Sequence, residues 1–139
     1  MARFVHEVMT SDPRTLEQGA SLIEAARIMK EDDVGAVIVT DRDSVHGLIT
    51  DRDIVVRALA EGKSPGDTPV GEVASTDITA LEPEDSIDEA IRQMRAQHIR
   101  RIPVIEGGKP RGILSIGDLA LERDQESALA EISAAAGNN

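Results

Sequence analysis

The feature that most constrains this chain is that it repeats itself. Shifted by 65 residues and read against itself without a gap, Val8 falls on Val73, Asp12 on Asp77, Leu16 on Leu81 and Glu17 on Glu82. Ser21, Glu24, Ala25, Arg27 and Met29 then fall on Ser86, Glu89, Ala90, Arg92 and Met94, Val39 on Val104, Gly47 on Gly112 and Asp53 on Asp118. Conservative pairs fill the intervals: Leu22 with Ile87, Val37 with Ile102, Ile49 with Leu114, Thr50 with Ser115. A gapless register from Val8 to Asp53 means two copies of one structural unit. A chain of 139 residues suits one compact domain or two small halves that share a core.

Each copy reads as β-α-β-β-α. Ala2–Met9, with Phe4, Val5 and Val8 apolar, predicts a short helix or turn leading into the first copy, and Asp12-Pro13 breaks it. Thr15 and Leu16 follow as a short extended piece. Ser21-x-x-Glu24 is a capping box, and Leu22, Ala25, Ala26 and Met29 lie on one helical face. The second copy has Ser86-x-x-Glu89 with Ile87, Ala90, Ile91 and Met94. Asp32-Asp33 and Gly35 end the first helix. Ala36–Val39 is a β-branched, buried strand, Asp41–Ser44 a turn and Val45–Ile49 its hairpin partner. In the second copy the turn is Glu106–Pro110. Thr50 then opens a helix carrying Ile54, Val55, Ala58 and Leu59, closed by Gly62. These boundaries place the first copy at 8–62, a Pro- and Gly-containing linker at 63–72, the second copy at 73–124 and a C-terminal tail at 125–139. The Ala-rich stretch Asp124–Ala136 is a candidate helix, and residues 137–139 should fray.

Composition removes several function classes. Only one aromatic residue, Phe4, is present, so there is no stacking platform for single-stranded nucleic acid. The formal charge of -11 opposes binding to a phosphate backbone. With no cysteine there is no disulfide, thiolate metal site or catalytic thiol. No apolar run reaches signal-peptide or membrane-span length, so the expectation is a soluble cytoplasmic protein with no nucleic-acid or membrane partner. His6, His46 and His98 share no metal-ligand spacing, and Asp41-Arg42-Asp43 lacks the donors of a calcium loop. No nucleophile elbow, Walker loop or dinucleotide fingerprint occurs. Nothing here predicts an enzyme.

Two motifs invite a functional reading. Gly47-Leu48-Ile49-Thr50-Asp51-Arg52-Asp53 runs from a strand through a hydroxyl into a helix, and Gly112-Ile113-Leu114-Ser115-Ile116-Gly117-Asp118 does so again. A hydroxyl with an acid three residues later is a helix cap. The same pair is also suited to a ligand, because a helix start attracts anions and a carboxylate accepts from a ribose diol. In His98-Ile99-Arg100-Arg101-Ile102-Pro103-Val104 two arginines enter a strand of an acidic protein. They either pair with nearby acids in water or clamp a phosphate. Their equivalents in the first copy are Gly35 and Ala36, which are uncharged.

Taken with the repeat, these motifs resemble a tandem pair of CBS domains, the regulatory modules named after cystathionine β-synthase, over residues 8–124. The resemblance implies an α+β fold with two β-α-β-β-α repeats around a pseudo-two-fold axis and a cleft on either side. It implies an adenosyl ligand: AMP, ADP, ATP or S-adenosylmethionine. Thr50 and Ser115 would then contact phosphate, Asp53 and Asp118 the ribose, and Arg100 and Arg101 the phosphate, with Thr15 and Thr79 near the base. It also implies a homodimer that regulates an unidentified protein; the absence of a nucleophile, metal-ligand spacing or acid-base pair predicts a non-catalytic role with no metal or resident cofactor. The alternative is a ligand-independent dimerisation or protein-interaction module. Because Gly35 and Ala36 are neutral, phosphate-dependent binding is expected to concentrate where Arg100 and Arg101 reach.

Overall fold

The computed structural model describes residues 2–123. The chain forms two compact units, one of Arg14–Ile78 and one whose described parts are residues 2–13 and 79–123. The strands are β1 (Thr10–Ser11), β2 (Thr15–Glu17), β3 (Ala36–Asp41), β4 (Ser44–Thr50), β5 (Arg101–Glu106) and β6 (Lys109–Ser115). The α-helices are α1 (Leu22–Asp32), α2 (Val70–Val73), α3 (Ile87–Gln97) and α4 (Ile116–Arg123), with a 3-10 turn at Val5–Glu7 and a π-helix at Asp53–Leu59. The expected tail helix and fraying end lie outside the described residues.

In the Arg14–Ile78 unit the sheet order is β2-β3-β4, with β2 parallel and β4 antiparallel to β3. The capping box predicted for α1 forms: Ser21 Oγ accepts from the Glu24 N–H at 3.2 Å, and the Ser21 N–H donates to Glu24 Oε2 at 2.9 Å. That start fixes which face turns inward. Leu22, Ala25, Ile28 and Met29 pack against Val37, Val39 and Ile49. The helix stops where Asp33 turns left-handed, at φ 56°. In the other unit β5 and β6 form the same hairpin, with a bulge at the equivalent step, and α3 is capped by Ser86 and ended by left-handed His98 at φ 55°. Its hairpin turn passes through Gly107 and Gly108, both at positive φ, the backbone that a tight β-turn of this hand requires.

The compact units are out of phase with the sequence repeat. Residues 2–11, which lead into and begin the first copy, pack onto the second. Val5 is fully buried with Leu81, Ile87 and Leu114. The Val5 and His6 N–H groups donate to Asp85 O and Pro83 O, and β1 pairs antiparallel with β6. Residues 64–75 do the same for the first copy. Leu22 N–H donates to Thr68 O and Val70 N–H to Ala20 O, and Leu48 and Ser75 exchange both backbone bonds. Val70 and Val73 complete that core. Each body is thus finished by the lead-in segment of the other copy, which occupies an otherwise open sheet edge. The stretch rich in Pro and Gly is therefore hydrogen-bonded structure.

This crossing explains the glycine that recurs in both motifs. A Cβ on Gly47 would overlap the Ser75 carbonyl oxygen, and one on Gly112 would sit 2.7 Å from Thr10 O and 2.6 Å from Met9 Sδ. The helix after Thr50 departs from expectation: Asp53–Leu59 is wound as a π-helix, with Ala60 N–H donating to Val55 O five residues back. Its apolar residues divide. Ile54 and Ala58 enter the core, whereas Val55, Val56 and Leu59 remain 56%, 43% and 50% exposed. In α4, Leu119 is likewise a core residue.

Candidate functional site

The two hydroxyl–carboxylate pairs sit where a central strand ends and a helix begins. Thr50 Oγ1 accepts from the Asp53 N–H at 3.1 Å, and the Thr50 N–H donates to Asp53 Oδ2 at 2.9 Å. Ser115 and Asp118 make the same pair of bonds at 3.1 and 2.9 Å. The cap is therefore real in both copies. It engages one carboxylate oxygen of each aspartate. As an acceptor, each hydroxyl also keeps its own proton to donate. Ser115 is buried, and Thr50, Asp53 and Asp118 are half-buried.

Strand register brings Arg100 and Arg101 to the second pair. Arg101 faces Ser115 across the β5–β6 ladder, and the Arg100 carbonyl accepts from the Ile116 N–H at 2.9 Å. In the first copy the same geometry places Ala36 opposite Thr50, and Gly35 O accepts from the Asp51 N–H. Arg100 is exposed and Arg101 half-buried. Thr15 is exposed on β2, paired with Ile38, in the unit that holds Thr50 and Asp53. Thr79 is half-buried in the unit that holds Ser115 and Asp118, two residues before Leu81 bridges Val104.

The electrostatic surroundings of the two aspartates differ. Asp53 Oδ1 lies 3.8 Å from Arg57 Nη1, which also donates to Ser75 Oγ at 3.3 Å. Sequence reasoning passed over Arg57, although an acid and a base four residues apart on a helix are a recognisable pair. The equivalent position in the second copy is Glu122, whose carboxylate accepts the Ala2 N–H at 2.8 Å. Burial pushes the Asp118 carboxyl pKa up, and its hydrogen bonds with Ser115 pull it part of the way back. A raised folded-state pKa means that the native protein binds the proton more tightly than the unfolded chain. Stability from this group is therefore full below the unfolded carboxyl pKa and falls as pH rises through the raised value. Ionised Asp118 is a cost to the fold. Carboxyl groups whose pKa is perturbed by burial concentrate at functional sites.

Among the described residues no group of three or more His, Cys, Asp or Glu side chains is placed to hold a metal ion. His6 instead stacks on Phe4, with ring centroids 5.9 Å apart. No helix among them is long and apolar enough to cross a membrane.

The CBS domain family model matches residues 5–59 and again 70–123. The CBS domain-containing protein YhcV of Bacillus subtilis is 37% identical over 119 residues, covering 86% of this chain and 84% of that protein. Hypoxic response protein 1 of Mycobacterium tuberculosis is 36% identical over 115 residues, covering 82% and 80%. The crystal structure of Hypoxic Response Protein I, described with two coordinated zinc ions, superposes with a TM-score of 0.78 at 34% identity, covering 84% of this chain and 96% of that one. A CBS-CP12 protein from bloom-forming cyanobacteria, described as hexameric, gives 0.79 at 30% identity, covering 92% and 77%.

Proposed function

This chain belongs to the CBS-domain family as a tandem pair, and we propose that it is a cytoplasmic, non-catalytic regulator that binds an adenine nucleotide or S-adenosylmethionine. The observation that carries the ligand reading is the duplicated pair. Two hydroxyls with a proton to donate, and two carboxylates with one oxygen outside the cap, stand at helix starts in matching geometry. Thr50 and Ser115 would donate to phosphate, where the helix N-terminus favours an anion. Asp53 and Asp118 would accept from the ribose hydroxyls. Arg100 and Arg101 would add charge-assisted bonds to the phosphate, with Thr15 and Thr79 lining the base. The ligand would shift the equilibrium between packings of the protein, and a regulated partner would read the shift.

Thermal melts with AMP, ADP, ATP and S-adenosylmethionine test this. A ligand at one hundred times its Kd adds about 2.7 kcal/mol and raises Tm by several degrees, and it should be recovered chemically intact. No shift with any of the four would sink the ligand reading.

A second reading, self-association, rests on Val55, Val56 and Leu59, which stand exposed together on the π-helix. A cluster of this kind is a usual mark of an interface, and the related CBS-CP12 protein is described as hexameric. The expected assembly here is a homodimer. Light scattering at high micromolar concentration should return twice the chain mass for the native protein and a smaller mass for Leu59→Asp. A native monomer at that concentration would refute it.

A further inference from the structure

The neutral pair Gly35 and Ala36 leaves the first copy without the strand arginines of the second, yet this site has a cation of its own. Arg57 Nη1 lies 3.8 Å from Asp53 Oδ1 and 3.3 Å from Ser75 Oγ, so the guanidinium is held between the ribose-type acceptor and the lead-in segment of the second copy. Both contacts use Nη1 alone, whereas a guanidinium presents five donors in a fixed fork, and the Arg57 side chain is 48% exposed to an arriving group. Asp53 and Arg57 both lie in the π-helix, a rare winding that concentrates at functional sites, whereas the equivalent α4 is an ordinary α-helix. At the equivalent position α4 carries an acid, Glu122.

On the adenosyl-ligand reading above, we propose that Arg57 is the phosphate-binding and specificity-determining residue of the first-copy site. Both sites then carry an arginine for phosphate, one supplied from a helix and the other from a strand. In a chain of charge -11, a phosphate near Asp53 would otherwise be repelled, and Arg57 is the cation fixed beside that carboxylate. The cation also tells ligands apart: a nucleotide gains a bidentate partner there and a bare nucleoside gains nothing.

The test isolates this site in an Asp118→Ala background, which removes the ribose acceptor of the second copy, and compares AMP with adenosine by calorimetry. Arg57→Gln is expected to weaken AMP by roughly ten- to a hundredfold, with adenosine changing less than twofold. Arg57→Lys should recover part of the AMP affinity, because it keeps the charge and loses the fork. Equal losses for AMP and adenosine would reduce Arg57 to a support for Asp53, and an unchanged AMP affinity would remove it from the site. Both results overturn the proposal while the ligand reading stands. If the unsubstituted protein binds neither compound, the adenosyl reading fails, and a pyrophosphate titration of that protein followed at the Arg57 Nε–H resonance decides the remainder. A saturable shift there keeps the phosphate role, and a flat titration ends it.

Discussion

A chain lacking residues 1–11 is expected to lose the fold of residues 79–123. Val5 fills the centre of that core at 0% exposure, and Val8 and Met9 pack at its border. Removing Val5 alone costs about 1.5–3 kcal/mol in transfer free energy. The deletion also strands the Ile87 N–H, which donates to Arg3 O, and removes the β1 strand that covers the edge of β6. Each lost backbone partner adds about 1 kcal/mol or more when the remaining group stays buried. Together these losses approach the roughly 5–15 kcal/mol that holds a whole domain folded. Amide exchange is the measurement: protection at Ile102, Val104 and Leu114 should collapse. Undiminished protection there would mean that the lead-in is a dispensable arm and that the body of the second copy folds without it.

That expectation was not visible in the sequence, and the reason is physical. The elements themselves were legible because their causes are local. Ser21 with Glu24, and Ser86 with Glu89, announce helix starts through bonds spanning three residues. The β-branched runs at Ala36 and Ile102 announce strands by their own packing preference, and the hydroxyl–aspartate pairs announce the helix starts at which both candidate sites are built. The pairing of lead-in with body is a long-range choice. Val5 and Val8 repeat as Val70 and Val73, so either lead-in carries the pattern that either body needs, and chain order favours the neighbour that the structure rejects. The π-helix was hidden for a related reason. Ile54 and Ala58, four residues apart, fit an α-helical face equally well, so the apolar spacing does not report the wider winding. The setting of Arg57 is not local either: Ser75, its second contact, becomes a neighbour only through the crossing of the lead-in. Comparing Gly35 and Ala36 with Arg100 and Arg101 weighs equivalent strand positions alone, whereas Arg57 reaches Asp53 from the helix.

Gly47→Ala tests whether the motif glycine serves that crossing or the ligand. Two readings of a glycine beside a binding site compete, because lack of a side chain lets either a ligand or another stretch of backbone come close. Here the space that a Cβ would need is already taken by the Ser75 carbonyl oxygen, which accepts from the Leu48 N–H while the Ser75 N–H donates to Leu48 O. Backbone held from both ends cannot step aside as the tip of a long side chain does. The substitution should therefore cost about 3 kcal/mol, at the upper end of what overpacking usually costs, and lower Tm by roughly 10 °C in a chain of this length. Gly112→Ala should cost less: Met9 Sδ is the flexible end of its side chain, which leaves Thr10 O as the harder obstacle. Gly19→Ala and Gly66→Ala, where an added Cβ meets nothing within 4 Å, are the controls and should stay within about 0.5 kcal/mol of the parent. The outcome that would return the glycine to the ligand is an unchanged Tm for Gly47→Ala with a fall in nucleotide affinity. A large loss of Tm in both motif variants and in neither control would mean that the most recognisable residue of each repeat is there to let the other repeat cross it.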